Sequence, residues 1–473
     1  MIKEEIFNLF SNVQIGYLVD SEKVVSGDTR LDSSHFIDDV SYTLNSKIKF
    51  TTLSEFISDV EEPTLFTRIY CDKEFGVPYI SSSEMSEIAP PVDFRFISKS
   101  LTNNIEQYII KRGQILVSAA GTVGSIVVAT EELDGVAGTS DILRINLDES
   151  KFLGFIYTYL TSSFGANELS NLAYGAIIKR VRGFQLAQLT TPIINDSVIE
   201  IMNQKILKAL ENRDEANRLI KQARSLVLKY NNLPILSTIK PETLDADGEV
   251  EIRITGLDEF TQDYRLDAHF YNPTVKQVLD NIKEFAKEYR ELGDGIAERI
   301  FYLNRFTRTF VEKGFGIPYM AGKDIIKIRP TDVAYLSYSE TSGLEDYRLK
   351  TGWILMTCSG TLARTCFIYK NYEDWVATHD LIRIVASENY NSGYLYAFLS
   401  TEYGYQQAIK FKHGAVIDHL TPEQIEQILI PLPSEKQQKE IGDLVRQAYE
   451  LRAKAISLED EAQELLAQAL TQA

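Results

Sequence analysis

Three cysteines in 473 residues, Cys71, Cys358 and Cys366, are too few and too scattered to hold a fold together. Their number is odd and no Cys-x-x-Cys pair occurs, which argues against a disulfide framework and a cysteine zinc site and favours a reducing compartment. The start, Met1-Ile-Lys-Glu-Glu, turns acidic at once and carries no apolar leader segment, so a secretory signal is not expected. No apolar run approaches the roughly 20 residues of a membrane span. The expectation is a cytoplasmic protein with no membrane association. A basic excess is lacking too: 49 Lys+Arg face 67 Asp+Glu, a formal charge of −18. Net charge governs solubility and non-specific binding rather than fold. This balance argues against tight, autonomous, sequence-blind binding of nucleic acid, but a local basic surface can still act within a complex.

Catalytic motifs are missing as well. There is no glycine-rich adenosylmethionine loop and no Asn/Asp-Pro-Pro-Tyr/Phe motif, since Asn272-Pro273 continues as Thr-Val. No Gly-x-x-x-x-Gly-Lys-Ser/Thr offers a nucleotide cradle. Pro433-Ser-Glu-Lys436 has the outline of a nuclease carboxylate–lysine end, but it lies at a helix cap with no upstream Asp placed to chelate Mg²⁺. The five histidines, His35, His269, His379, His413 and His419, never stand at i, i+4 or beside a cysteine, so no metal site is expected. Cys358 and Cys366 flank a strand turn and read as core. No residue is expected to be catalytic.

What is present is a duplication. Gly175-Ala-Ile-Ile178 returns as Gly414-Ala-Val-Ile417, an offset of 239 positions. In the same frame Gly113-Gln-Ile-Leu116 matches Gly352-Trp-Ile-Leu355, and Gly121-Thr122 matches Gly360-Thr361. So do Asp141-Ile-Leu-Arg-Ile145 with Asp380-Leu-Ile-Arg-Ile384, and Gly154-Phe-Ile-Tyr157 with Gly393-Tyr-Leu-Tyr396. Slightly outside it, Phe75-Gly-Val-Pro-Tyr-Ile80 answers Phe315-Gly-Ile-Pro-Tyr-Met320, and Arg30-Leu-Asp32 answers Arg265-Leu-Asp267. The period is far too long for a solenoid, so each copy is a domain.

Each half opens on a strand-like stretch (Ile15–Val19, Glu251–Thr255) that leads to Arg-Leu-Asp and His-Phe. Short apolar runs at Ile115–Val117, Ser125–Ala129 and Ile142–Ile145 read as strands. Phe152–Thr161 and Tyr394–Ser400 carry helical spacing. A proline-marked strand at Pro192 or Ile430–Pro433 closes each half before a long helix. In the first helix Ile199, Met202, Ile206, Ala209, Ala216, Ile220, Ala223 and Val227 recur three and four apart, with Arg213 interrupting. In the second, Ile441, Leu444, Ala448, Leu451, Ala455, Leu458, Ala462, Leu465 and Ala469 form a Leu/Ala heptad seam. Ser197-x-x-Glu200 and Ser434-x-x-Gln437 read as capping boxes, and Pro234 as the stop of the first helix. Each helix could pack on its own domain; the reading adopted is that the seams pack on each other, antiparallel. A helix of about 33 residues at ~1.5 Å per residue spans about 50 Å, or roughly 15 base pairs of duplex at ~3.4 Å each.

Domain, long helix, similar domain, long helix resembles the type I restriction-modification specificity subunits. The matching elements are Gly414-Ala-Val-Ile-Asp-His-Leu-Thr-Pro-Glu-Gln-Ile with Ile430-Pro-Leu-Pro433, Phe315-Gly-Ile-Pro-Tyr319, and Gly352-Trp-Ile-Leu with Ser359-Gly-Thr361. All recur in the first half. The resemblance implies an α+β protein with two similar α/β target-recognition domains separated by a long antiparallel two-helix coiled coil. The expected division is residues 1–194 and 234–433 for the recognition domains, 195–233 and 434–473 for the helices. It implies a non-catalytic subunit that reads bipartite double-stranded DNA, one half-site per domain. Its helices would dock DNA methyltransferase subunits, two of them, with a restriction/translocase subunit as a further partner. S-adenosylmethionine, ATP and Mg²⁺ would then belong to the partners and not to this chain. The rival reading is an acidic interaction scaffold or decoy of a phage-defence complex that reads no DNA sequence.

Two readers built on one frame should diverge where they touch DNA. Lys179, Arg180 and Arg182 stand where the second half has Asp418-His-Leu-Thr421. Arg68, Tyr70 and Lys73 precede the first Gly-x-Pro-Tyr; Arg305, Arg308, Thr309 and Lys313 precede the second. Ser81, Ser82 and Ser83 follow the first, and Lys323 the second. Lys410, Lys412 and His413 enclose Phe411 in a basic run. Arg reads guanine through two hydrogen bonds, whereas Lys serves mostly phosphate. Thr122 and Thr361 sit in glycine turns that either satisfy a φ > 0 requirement or present backbone N–H groups to a DNA phosphate. Each of these residues could equally be a solvated surface charge or hydroxyl.

Overall fold

A computed structural model describes residues 48–88, 95–120, 124–147, 149–172, 179–236, 265, 267–330, 333–339 and 344–471. The strand-like stretches Ile15–Val19 and Glu251–Thr255, and with them Arg30–Asp32, His35, Thr122 and Gly175–Ile178, lie outside the described residues. The chain divides into two compact units. One comprises Met1–Met85, Arg95–Leu207 and Leu458–Ala473; the other comprises Ser86–Phe94 and Lys208–Ser457.

In the first unit the strands are β1 (Lys49–Thr52), β2 (Asp59–Glu61), β3 (Gly76–Ile80), β4 (Arg95–Ser98), β5 (Ile115–Ser118), β6 (Ile126–Val128), β7 (Ala137–Gly138), β8 (Ile142–Asn146) and β9 (Thr190–Ile193). They form a β2-β8-β5-β6 sheet, a β4-β3-β7 sheet and a β1-β9 pair. Every residue of β5 is buried, as a continuous apolar run demands when both faces are covered. Pro192 is tolerated because β9 has a single partner strand. Arg144, on β8, is 2% exposed. It donates to the carbonyls of Gln107 and, at 3.1 Å, Ile109, and it pairs with Glu61 at 3.2 Å.

The second unit repeats this plan. Its strands are β10 (Tyr289–Glu291), β11 (Ala297–Phe301), β12 (Phe310–Val311), β13 (Gly316–Met320), β14 (Ala334–Ser337), β15 (Ile354–Thr357), β16 (Thr365–Phe367), β17 (Val376–Ala377), β18 (Leu381–Ala386) and β19 (Leu429–Pro431). The sheets are β11-β18-β15-β16, β12-β14-β13-β17 and β10-β19, the first unit's order with β12 added. Arg383, at the position of Arg144, is fully buried. It donates to the carbonyls of Leu381, Ala377 and Thr378 at 2.9, 2.9 and 3.2 Å. Burial pulls its pKa down to about 10, so it stays charged at neutral pH. Cys358 and Cys366 are free, buried thiols pushed up to about 11 by burial, consistent with inert core residues.

One glycine per unit fixes how a short helix meets a long one. In the helix Leu153–Thr161, a Cβ on Gly154 would lie 2.3 Å from Asn203 Cα. In the helix Ser392–Leu399, a Cβ on Gly393 would lie 2.8 Å from Gly442 Cα. Both contacts are backbone against helix backbone, closer than any side chain permits.

The long helices run Asp196–Tyr230 and Glu435–Thr471. Within the second unit Asn217 bonds Arg452 at 3.1 Å and Tyr230 bonds Glu440 at 3.0 Å, so the two segments there run antiparallel. Within the first unit Lys205 pairs with Glu461. On the first helix Ile199, Met202 and Ile206 are buried as the periodicity predicts. On the second, Leu444, Leu451, Leu458 and Leu465 are only half-buried. The fully buried line is Ile441, Val445, Ala448, Ala455, Ala462 and Leu466, joined by Glu459. The leucines therefore flank the buried face, and the alanines are its centre. Two boundary expectations also change. Asn195, not Ser197, caps the first helix, its Oδ1 taking Ser197 N at 2.9 Å. Its end is set by Asn232 in the left-handed region (φ 54°), with Leu233 N returning to Leu228 O at 2.9 Å, ahead of Pro234. Ser434 does meet Gln437, N to Oε1 at 3.1 Å.

Candidate nucleic-acid interface

In the first unit β3 carries Tyr79, and three side chains gather at its ring. Arg68, in the extended segment before β3, places its guanidinium carbon 5.8 Å from the ring centroid, and Arg95 places its own at 5.5 Å. The β3–β4 register pairs Tyr79 with Arg95, so the strand pairing itself delivers that arginine. Tyr70, 50% exposed, meets the ring edge-on at 6.3 Å. A guanidinium near an aromatic face is held by the ring quadrupole, and Arg95 in addition gives Nη2 to the Glu84 carboxylate. Burial raises the Tyr79 pKa, so its hydroxyl stays protonated at neutral pH.

Glu84 organises the turn that follows. It accepts from Ser81 N and Oγ, each at 2.6 Å, and from Arg95 Nη2 at 2.7 Å. Ser81 is therefore committed to the turn rather than offered to a ligand; Ser82 is half-buried and Ser83 exposed. Lys73 is exposed in the helical turn Lys73–Phe75, beside a Phe75 that is 65% exposed.

A second basic group adjoins the turn Thr139–Asp141. Thr139 N donates to Ile80 O at 3.0 Å and Ala119 N to Asp141 O at 2.8 Å, so this turn connects the end of β3 to the end of β5. Arg180 pairs with Asp141 at 2.6 Å, and Arg182 pairs with Glu62 at 2.5 Å. Both arginines remain about half exposed. Lys179 is exposed and makes no ion pair among the described residues.

The second unit carries the same platform with altered chemistry. Arg308 lies 5.9 Å from the Tyr319 centroid and donates Nη1 to its hydroxyl at 2.9 Å. Phe310, 54% exposed, takes the edge position of Tyr70 at 5.8 Å. Ala334 pairs with Tyr319 where Arg95 pairs with Tyr79, so one arginine is missing from this platform. In the turn Thr378–Asp380, His379 lies 3.4 Å from Asp380 and edge-on to Phe306. Burial lowers its pKa; Asp380 opposes this, while Arg308 and Arg305 add to it. Arg305 and Lys313 are exposed. Thr309 serves the sheet, its carbonyl accepting from Ser337 N at 2.9 Å. Lys323 is exposed in the turn Gly322–Asp324, and Thr361 is exposed beside Gly360, whose φ is 73°.

Two ring-and-arginine platforms on duplicated frames are joined by a direct sequence match. The family model of the type I restriction modification DNA specificity domain matches residues 45–229 and 310–459. The chain belongs to this family. It is a DNA-specificity subunit of a restriction-modification complex and not an enzyme, and its partners are DNA and the methyltransferase or restriction subunits. Comparison with curated proteins gives no match. Among solved structures, the type I restriction-modification S subunit from M. genitalium is similar at 15% identity, over 90% of this chain and 97% of that one, with a TM-score of 0.35. The HsdS subunit from Thermoanaerobacter tengcongensis is similar at 14% identity, over 92% and 100%, with a TM-score of 0.29.

The remaining candidates of this specificity subunit are more constrained than their sequence suggests. Lys410 lies 4.1 Å over the Phe270 ring and 5.2 Å over Phe411. Lys412 approaches Asp418 at 3.8 Å, and His413 exchanges backbone hydrogen bonds with His419. Arg265 donates to Phe411 O and Lys412 O at 3.2 and 2.8 Å while Asp267 holds it at 2.7 Å; His269 bonds Ile409 O at 3.0 Å. The Arg-Leu-Asp opening of the second half is thus a brace for the 409–412 loop. Arg95 was not among the sequence candidates, and His379 stood there only as one of five histidines without metal-ligand spacing. The signal for both lies in the difference between the halves: Arg95 stands where the second half has Ala334, and His379 where the first has Ser140. No group of three or more potential ligands for a metal ion occurs among the described residues, and no described helix is long and apolar enough to cross a membrane.

Proposed function

We propose that this specificity subunit reads a bipartite double-stranded DNA target, one half-site per recognition domain, and docks two methyltransferase subunits through its long helices. The recognition domains would be residues 1–194 and 234–433, with helices in 195–233 and 434–473. The adenosylmethionine, ATP and Mg²⁺ of the reaction would belong to those partners, at work in the cytoplasm. The observation that carries the reading is the pair of equivalent platforms with unlike edges. Arg68, Tyr70 and Arg95 surround Tyr79, while Arg308 and Phe310 flank Tyr319 with Ala334 opposite. Shared scaffolding with divergent donors is what two half-sites of different sequence require, because bases are told apart by donor and acceptor pattern. The local cations also relieve the objection from the charge of −18: the acid need not face the DNA.

Methylome sequencing of cells with and without the chain tests this. A split methylated motif that disappears with the chain is the expected result. Unchanged methylation, with no sequence-selective binding by the reconstituted complex, would favour the acidic decoy instead.

A further inference from the structure

Away from the platforms, the second unit contains a concentration of arginine that recognition by Tyr79 and Tyr319 does not use. The segment Ser86–Ile88, part of this unit, lies along Ile326–Ile328. Ile88 N donates to Ile326 O at 2.6 Å and Ile328 N to Ser86 O at 2.8 Å. Beside it is a cavity of about 60 Å³ whose lining includes Arg224, Arg364, Arg452, Tyr396, Ser400 and Tyr449. Arg224 donates Nε to Ser400 Oγ at 3.0 Å. Arg364 pairs with Glu87. Arg452 gives Nη2 to Asn217 Oδ1 at 3.1 Å and lies 4.7 Å over the Tyr449 ring, while its Nη1 is buried with no hydrogen-bond partner.

Among the described residues Glu87 is the one carboxylate that pairs with any of these three guanidiniums. Burial lowers the pKa of Arg224; Tyr396 and Tyr449 oppose this, while the neighbouring Arg452 and Arg364 charges add to it. Like charges gathered in a partly buried cleft are costly unless an anion compensates them. We infer that this cavity binds a phosphate-type oxyanion, held by Arg452 Nη1 together with Arg224 and Arg364, with Glu87 as its competing carboxylate. Three guanidiniums against one carboxylate leave two positive charges, which a phosphate dianion matches. The planar fork of arginine suits tetrahedral oxyanions. Space suffices: one water needs about 10–15 Å³ of such volume, so the cavity admits a group of several heavy atoms.

The test is calorimetric titration of the full chain with inorganic phosphate at constant ionic strength. One phosphate per chain is expected. Arg452→Gln should weaken binding at least about tenfold, the worth of a hydrogen bond to a charged group, and Glu87→Gln should tighten it by removing the competitor. If Arg452→Gln does not fold, Glu87→Gln carries the test through affinity and through a phosphate-dependent rise in melting temperature. ATP added in competition separates the sources: displacement of phosphate assigns the oxyanion to a nucleotide, and lack of displacement to the free ion. No binding to the wild type or to Glu87→Gln in the millimolar range overturns the inference. So does equal binding by all three proteins.

Discussion

Arg180 and Asp141 meet at 2.6 Å, which ties the most divergent basic cluster of the chain to the turn leading into its most faithfully repeated strand. The second half has the aspartate, Asp380, but His419 in place of the arginine. A half-exposed pair of this kind contributes little to stability. Its effect is to fix where the guanidinium points.

Arg180→Ala should therefore leave the fold intact and relax one position in one half of the recognised motif. A lost base contact costs about 1–3 kcal/mol at that position, whereas a lost phosphate contact weakens all sequences alike and flattens the salt dependence. Methylation of a randomised-site library distinguishes the two. Degradation of both halves of the motif would contradict two independent readers.

Arg95→Ala gives the first platform the residue that the second already has at Ala334. It should change base preference only in the half-site read by the first domain, and Arg308→Ala only in the other. The double variant should lose the sum of the two effects, because distant sites add. The same library assay reads all three.

Arg383→Met should destabilise the second unit by at least about 2 kcal/mol, since it orphans carbonyls in a buried strand end. Denaturant unfolding measures this. A neutral result would mean that those carbonyls find other donors.

The alanine face of the second long helix gives a packing prediction. Ala455 has no exposed surface, so Ala455→Leu should cost about 1–3 kcal/mol through overpacking. Leu451→Ala, on the half-buried flank, should cost less. Thermal unfolding of the two variants side by side checks the order.

His379 predicts a pH dependence. Its folded pKa is lowered below 6.5, so between that lowered value and 6.5 the unfolded chain binds more protons. Its contribution is constant above that range and destabilising as pH falls below 6.5. The melting temperature should drop less between pH 7.5 and 5.5 in His379→Gln than in the wild type.

The duplication, the strand positions around Ile115 and Ile142 and the two long helices were legible in the sequence. A repeated core must refill the same space, and helical periodicity survives wherever one face is buried. The helix seam was legible only to within one residue. Leu451 and Ala455 both fit a heptad, and which stripe faces inward depends on how closely the partner approaches, a property of neither helix alone. The platforms were half legible. Arg68 and Arg308 stood out by charge and position, but Arg95 becomes a neighbour of Tyr79 only through the β3–β4 register. Likewise Lys410 and Ser81 read as free polar groups until Phe270 and Glu84 are brought against them. The sequence by itself determined the two-domain plan and the family, because both rest on residues repeated at fixed spacing. Only the tertiary structure decided which cations are engaged by other side chains, because those partners lie far away along the chain.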